Sequence, residues 1–148
     1  MISFTVFCVP VAQPRQRHRI VEAGGRAFAQ NYTPEKHPVQ AFKAAVQTAA
    51  KAAMDAQLPC TALLDGPLHL RLVLLFPRPK SMVWKTKPMP RWWHITRPDG
   101  DNCLKAVKDA LNGLCWRDDA QVAGIEVTKL YAAGTETPGV EIQIRELN

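Results

Sequence analysis

The chain has 148 residues, 47% of them hydrophobic, with a formal net charge of +6 and a pI near 9.4. That is enough apolar side chain to build one domain of ordinary size, and too little chain for a second full one. The positive balance predicts attraction to a polyanion, whether nucleic acid, anionic lipid or acidic protein, and implies no reaction by itself.

Residues 2 to 9 alternate loosely and are rich in Ile, Phe and Val, which predicts a strand ended by Pro10. The opening run "MISFTVFCVP" lacks a basic leader and is too short to span a bilayer, so neither signal peptide nor anchor is expected and a cytoplasmic location is the default. Cys8, Cys60, Cys103 and Cys115 form no CxxC pair or Cys/His cluster and are read as reduced core thiols. Next comes "PVAQPRQRHRIVEAGGRAFAQNYTPEKHP", read as a loop. Arg15, Arg17 and Arg19 stand at every second position, so an extended backbone would place them on one side as a basic ridge; a solvated surface loop accounts for them equally well.

The alanine-rich stretch Val39 to Gln57 has high helix propensity and no internal Pro or Gly, with Phe42, Val46, Ala49, Ala50 and Ala53 on one stripe. It predicts a packing helix. "GPLHLRLVLLFP" predicts a second strand with Leu68, Leu70, Leu72 and Leu74 on one face, and His69 is read as structural. Between Gly66 and Pro98 stand Arg71, Arg78, Lys80, Lys85, Lys87, Arg91 and Arg97 without a single acid, interleaved with Trp84, Trp92 and Trp93. Prolines 77, 79, 88 and 90 oppose regular structure, which predicts a long, partly mobile loop. Cations alternating with flat rings suit phosphates and unstacked bases; alternatively a tryptophan pins the loop to the domain. A helix from Asp101 to about Asn112 follows, then "VAGIEVTKLYAAG" and "GVEIQIREL", expected to pair as a hairpin with Val140, Ile142 and Ile144 facing one way.

Within "RPDGDNCLKAVKDALNGLCWRDDAQV" (97–122) acids gather in a basic chain. Leu104, Val107, Leu111 and Leu114 bury one helix face and leave Asp101, Lys105, Lys108 and Asn112 on the wetter one. Inside one helix Asp99 and Asp101 would point about 200° apart, but an Asp99 preceding the helix lets both carboxylates converge. One N-cap needs one Asp, and no Glu or Gln follows to complete a capping box after either. If the chain is extended from Asp118 onward, Asp118 shares a side with Val122 and Asp119 is the freer acid. Three carboxylates meeting at one helix start would repel without a cation, which points to a hard divalent metal, Mg²⁺ above all. Lys105 either pairs with Asp101 or Asp109 or binds a phosphate oxygen in the transition state; Lys108 has no matching acid and is assigned to phosphate or solvent.

This segment resembles the signature of the RusA family of Holliday-junction resolvases, [KR]PDxDN…K…DALNG…DDAQV, and the Arg-rich segment ending in "YTP" resembles the family layout. The resemblance implies an α+β fold, a single compact domain over residues 1–148 with a small mixed β-sheet packed by two main helices, homodimeric. It implies that Asp99, Asp101 and Asp119 bind Mg²⁺, that Lys105 assists catalysis and that Asn102 orients the carboxylates, with Asp118 in support. The family cuts four-way DNA with symmetric paired nicks. Arg15, Arg17, Arg19 and Arg97 are the expected phosphate contacts, with Lys85, Lys87 and Arg91 behind them. Cys103 stands where the family more often has an aliphatic residue, and a small hydrophobe fits there. The rival readings are a non-catalytic module for branched nucleic acid, with the acids as caps and salt bridges, and a nuclease for flaps or other branched DNA or RNA.

Overall fold

The structure is a computed structural model and describes residues 1–15, 17–58 and 62–148; Cys60 lies outside them. Its centre is set by the most apolar segment of the chain. β4 (Leu68–Phe76) turns Leu68, Leu70, Leu72, Leu74 and Phe76 into the main core, while Val73 and Leu75 bury a smaller cluster on the opposite side. A strand apolar on both faces gains most when flanked on both edges, and β4 is. It runs parallel to β6 (Val122–Tyr131) and antiparallel to β7 (Gly139–Glu146).

Around that strand lies a mixed five-stranded sheet ordered β1-β7-β4-β6-β5, with β1 (Ile2–Val6) on one edge and the two-residue β5 (Trp92–Trp93) on the other. β6 and β7 therefore do not form the expected hairpin, because β4 lies between them. Stepping over one strand takes only about 10 Å, and the connection 132–138 spans that easily. The facing of β7 is as expected: Val140, Ile142 and Ile144 are buried and Glu141, Gln143 and Arg145 look away.

Two helices cover one face of the sheet. α1 (Pro38–Gln57) opens with Pro at its first position and with the His37 ring accepting from Val39 N–H (3.1 Å), and buries Val39, Phe42, Val46, Ala50, Ala53 and Met54. α2 (Gly100–Leu111) buries Cys103, Ala106, Val107, Ala110 and Leu111 in the same core. Leu104 and Leu114, expected inside, are only partly buried, since the small residues at 103, 106 and 110 let the helices approach closely. Burial pushes the Cys103 and Cys115 thiols up to about 11, as expected of inert core cysteines.

The segment read as a loop, 10–38, contains a second sheet: β2 (Arg17–Ala23) and β3 (Arg26–Tyr32) pair antiparallel through Gly24 and Gly25, both at positive φ (60° and 74°). A Gly-Gly pair supplies the two left-handed residues of a tight hairpin turn, a signal the run of arginines obscured.

The Pro/Trp segment 77–98 is likewise better ordered than its prolines suggest. Arg78 donates to the carbonyls of Ala132 (2.8 Å), Met82 (3.2 Å) and Pro90, and its guanidinium lies over the Trp84 ring (5.6 Å). Arg91 pairs with Glu136 and with Glu141. Arginines, not tryptophans, pin this segment, and Arg91 is corrected from phosphate contact to structural lock. Trp84, Trp92 and Trp93 stay exposed.

Hydrogen bonding to Arg91 is the main cause holding the Glu136 carboxyl below its ordinary value. A depressed carboxylate contributes fully above its unfolded pKa and loses that contribution as pH falls through the folded one. Acidification below the ordinary carboxylate range is therefore expected to release segment 77–98 before the core unfolds, read as proteolytic cleavage there. The Glu136→Gln variant should show that cleavage at neutral pH; if both stay intact, the lock is not what holds the segment.

Candidate active site

Asp99 and Asp101 stand where α2 begins. Asp99 is the N-cap residue, extended (φ −73°, ψ 141°) and preceding the helix, as convergence with Asp101 requires. Its carboxylate makes no capping hydrogen bond, so the usual reason for an Asp at this position does not apply. Asp101 follows in the first turn, exposed, its side chain without hydrogen bond or ion pair among the described residues. Both acids sit at the positive end of the helix dipole. At Gly100, between them, α2 packs on β6, where a Cβ would make ordinary contact with the Lys129 and Val127 side chains at 3.4 Å. Lys129 itself bonds the Thr96 carbonyl (2.6 Å), fixing the approach to the cis Arg97–Pro98 peptide.

Arg15, Arg97, Pro98, Asp99 and Asn102 line one open cavity of about 420 Å³. Two guanidinium groups and a carboxylate thus share a concave surface that could take a phosphate. Gln13 N–H donates to the Asn102 carbonyl (2.9 Å), which brings Arg15 to the helix head. Arg17 and Arg19 lie on the hairpin, where Arg19 bonds Gln30 Oε1 (3.1 and 2.9 Å) and covers the Tyr32 ring.

Asp118 is extended (φ −145°, ψ 139°), but the chain does not stay so: it enters a 3-10 turn, Asp119–Gln121, because Asp118 and Gln121 form a capping box, in which Asp118 Oδ1 accepts from Ala120 N–H (2.7 Å) and Gln121 Oε1 from Asp118 N–H (3.1 Å). The Asp118 carboxylate is thereby engaged in structure. Asp119 Oδ1 accepts from Trp116 Nε1 (2.9 Å), and its Oδ2 lies 3.8 Å from Lys108 Nζ. Lys108 does have an acidic partner, a correction the linear sequence could not show. Trp116 is fully buried, and its place three residues before the acid is the one sign of this contact in the sequence. Lys105 is exposed and makes no ion pair among the described residues, since Asp109 pairs with Lys43 (3.3 Å).

No group of three or more His, Cys, Asp or Glu side chains is arranged to hold an ion by itself among the described residues. Mg²⁺ does not demand such a cage, since it keeps several waters and is commonly held by one or two carboxylates with substrate phosphate oxygens. The donors at the head of α2 are hard oxygens, and the nearby Cys103 thiol is buried and protonated, so the chemistry fits such an ion. No helix among the described residues is long and apolar enough to cross a membrane.

Residues 8–145 match the family model described as Endodeoxyribonuclease RusA. The chain is also 34% identical, over 99% of its length and 97% of the relative's, to an uncharacterized protein of Bacillus subtilis (strain 168), YqaN.

Proposed function

Because the chain belongs to the RusA family of endodeoxyribonucleases, and so is a nuclease of branched DNA, we propose that it resolves four-way junctions as a homodimer, by Mg²⁺-dependent symmetric nicks during recombination and repair. The observation that carries this reading is the uncapped Asp99 carboxylate in a cavity shared with Arg15 and Arg97. Asp99 and Asp101 would hold the ion together with water and phosphate oxygens, and Asp119, the third carboxylate that the resemblance implies, would join them as the strand binds. When bound, the ion supplies concentrated positive charge for the phosphoryl oxygens and acidifies the attacking water.

The protein's own groups position the strand around it. Arg15 and Arg97 grip the phosphates next to the one being cut, with Arg17 and Arg19 further along the duplex. Lys105, exposed one turn beyond Asp101 and without an acidic partner among the described residues, steadies negative charge developing on a non-bridging oxygen through Nζ. Asn102 shapes the cavity wall and, through its carbonyl, fixes the segment carrying Arg15. Asp119 is aimed by Trp116, and Asp118 supports that turn as its cap. A two-fold dimer presents two such sites to a two-fold substrate, which accounts for paired nicks.

The test compares nicking of a mobile four-way junction, a flap and a linear duplex at one salt and Mg²⁺ concentration. The junction should be cut fastest, in two opposed strands, with ligatable 5′-phosphate ends. Equal rates on the flap would move the specificity to branched DNA in general, and binding with no cut product would leave only the binding module.

A further inference from the structure

The β2–β3 hairpin stands apart from the core in a way the rest of the fold does not explain. Every described residue of its two strands is exposed except Val21, which is half-buried. Large apolar groups are included: Ile20 is 79% and Phe28 50% exposed. A two-stranded ribbon with no buried face is marginal in water, so this one is complete only against something else. Its register places Arg17, Arg19, Phe28, Gln30 and Tyr32 on one face, with Arg19 braced on Gln30 and Tyr32. Arg17, Arg19 and Arg26 outweigh its one acid, Glu22.

Both ends of the ribbon are anchored at the candidate active site. Gln13, just before β2, bonds through its N–H to Asn102 in the first turn of α2 and through Nε2 to Thr33 Oγ1 (3.4 Å), just after β3. The hairpin therefore springs from the rim that carries Asp99, Asp101 and Arg15.

We propose that β2–β3 is a groove-binding ribbon that lies along the duplex arm next to the cleaved phosphate and holds that arm by Arg17, Arg19 and Arg26. This rests on the reading of the chain as a junction nuclease. The major groove admits a two-stranded ribbon, and the arginines meet phosphates on its walls. Seven residues per strand give a reach of about 24 Å, or about seven base pairs of duplex. Charge selects this occupant over a second copy of the chain, since two such ribbons face to face would oppose arginines with few acids between them.

The experiment measures affinity for a four-way junction against salt for the natural protein and for the combined Arg17→Ala, Arg19→Ala, Arg26→Ala variant, with arms of about 15 and about four base pairs. Loss of three phosphate contacts should lower the slope of log affinity on log salt by about 2 to 3. Shortening the arms should weaken the natural protein and leave the variant almost unaffected. A second variant, with residues 17–32 replaced by a Gly/Ser linker, should behave like the first and retain the Tm of the natural protein. An unchanged slope, or indifference of the natural protein to arm length, overturns the proposal while junction cleavage by that protein leaves the enzymatic reading standing. Sedimentation that shifts from dimer to monomer with an unchanged slope would make the ribbon a contact between copies instead. If the natural protein neither binds nor nicks the junction, the underlying reading fails first.

Discussion

Replacing Asp101 by Asn is expected to abolish Mg²⁺-dependent junction cleavage while junction binding stays intact or tightens. The substitution keeps the size of the side chain and removes one negative charge and one hard oxygen ligand. It lies on the exposed first turn of α2, where losing a favourable charge–dipole contact costs at most about 1 kcal/mol of stability. The charge stabilisation supplied at such a centre amounts to several kcal/mol, and each 1.36 kcal/mol is a decade in rate, so a fall of at least about a thousandfold is expected. Affinity should hold or rise, because a carboxylate facing phosphates is repulsive when no cation lies between them. Chelating Mg²⁺ should reproduce the result with the natural protein. Cleavage retained by Asp101→Asn would refute the assignment of the acids, whatever the binding.

Trp116→Ala is expected to have the largest effect on stability. Trp116 is the largest fully buried side chain, and truncating a buried tryptophan costs about 3–5 kcal/mol through lost burial and the cavity left behind. For a chain of this size that lowers Tm on the order of 10 °C. The more informative variant is Trp116→Phe, which keeps an aromatic ring in the core and removes the donor to Asp119 Oδ1. Asp119 is then steered by Lys108 alone, across 3.8 Å. Misplacing a reacting group by about 1 Å costs up to about a hundredfold, so kcat should drop by about ten- to a hundredfold with KM little changed and Tm only a few degrees lower. Wild-type kcat in Trp116→Phe would mean that Asp119 does not depend on the indole for its aim.

Single elements were legible where one local signal dominated. An alanine-rich run free of Pro and Gly could only be α1, and the spacing of apolar residues from Leu104 to Leu111 could only be a helix with its wet face toward Asp101 and Lys105. Alternation of Leu at 68, 70, 72 and 74 announced a core strand, and Pro98 and Gly100 placed Asp99 ahead of the helix. The acidic motif and its family were readable because that chemistry is held in a short, ordered run of residue types, and the family match over residues 8–145 bears out the resemblance.

What remained hidden were pairings between distant segments. Whether β6 meets β7 or both flank β4 depends on which edges the most apolar strand leaves open, a competition among all strands at once. The acid-free run 67–97 looked available to phosphates, yet Glu136 and Glu141 engage Arg91 and the Ala132 carbonyl engages Arg78. Asp119 and Lys108 pair only because the chain turns back past Trp116. The amino-acid sequence by itself determined the local elements, the surplus of positive charge and the residue types of the acidic motif, since these depend on neighbours a few positions away. Only the tertiary structure decided which carboxylates are left free, which arginines are already engaged and that the basic segment is a two-stranded ribbon rooted at the site, because a charge takes its partner by distance in space.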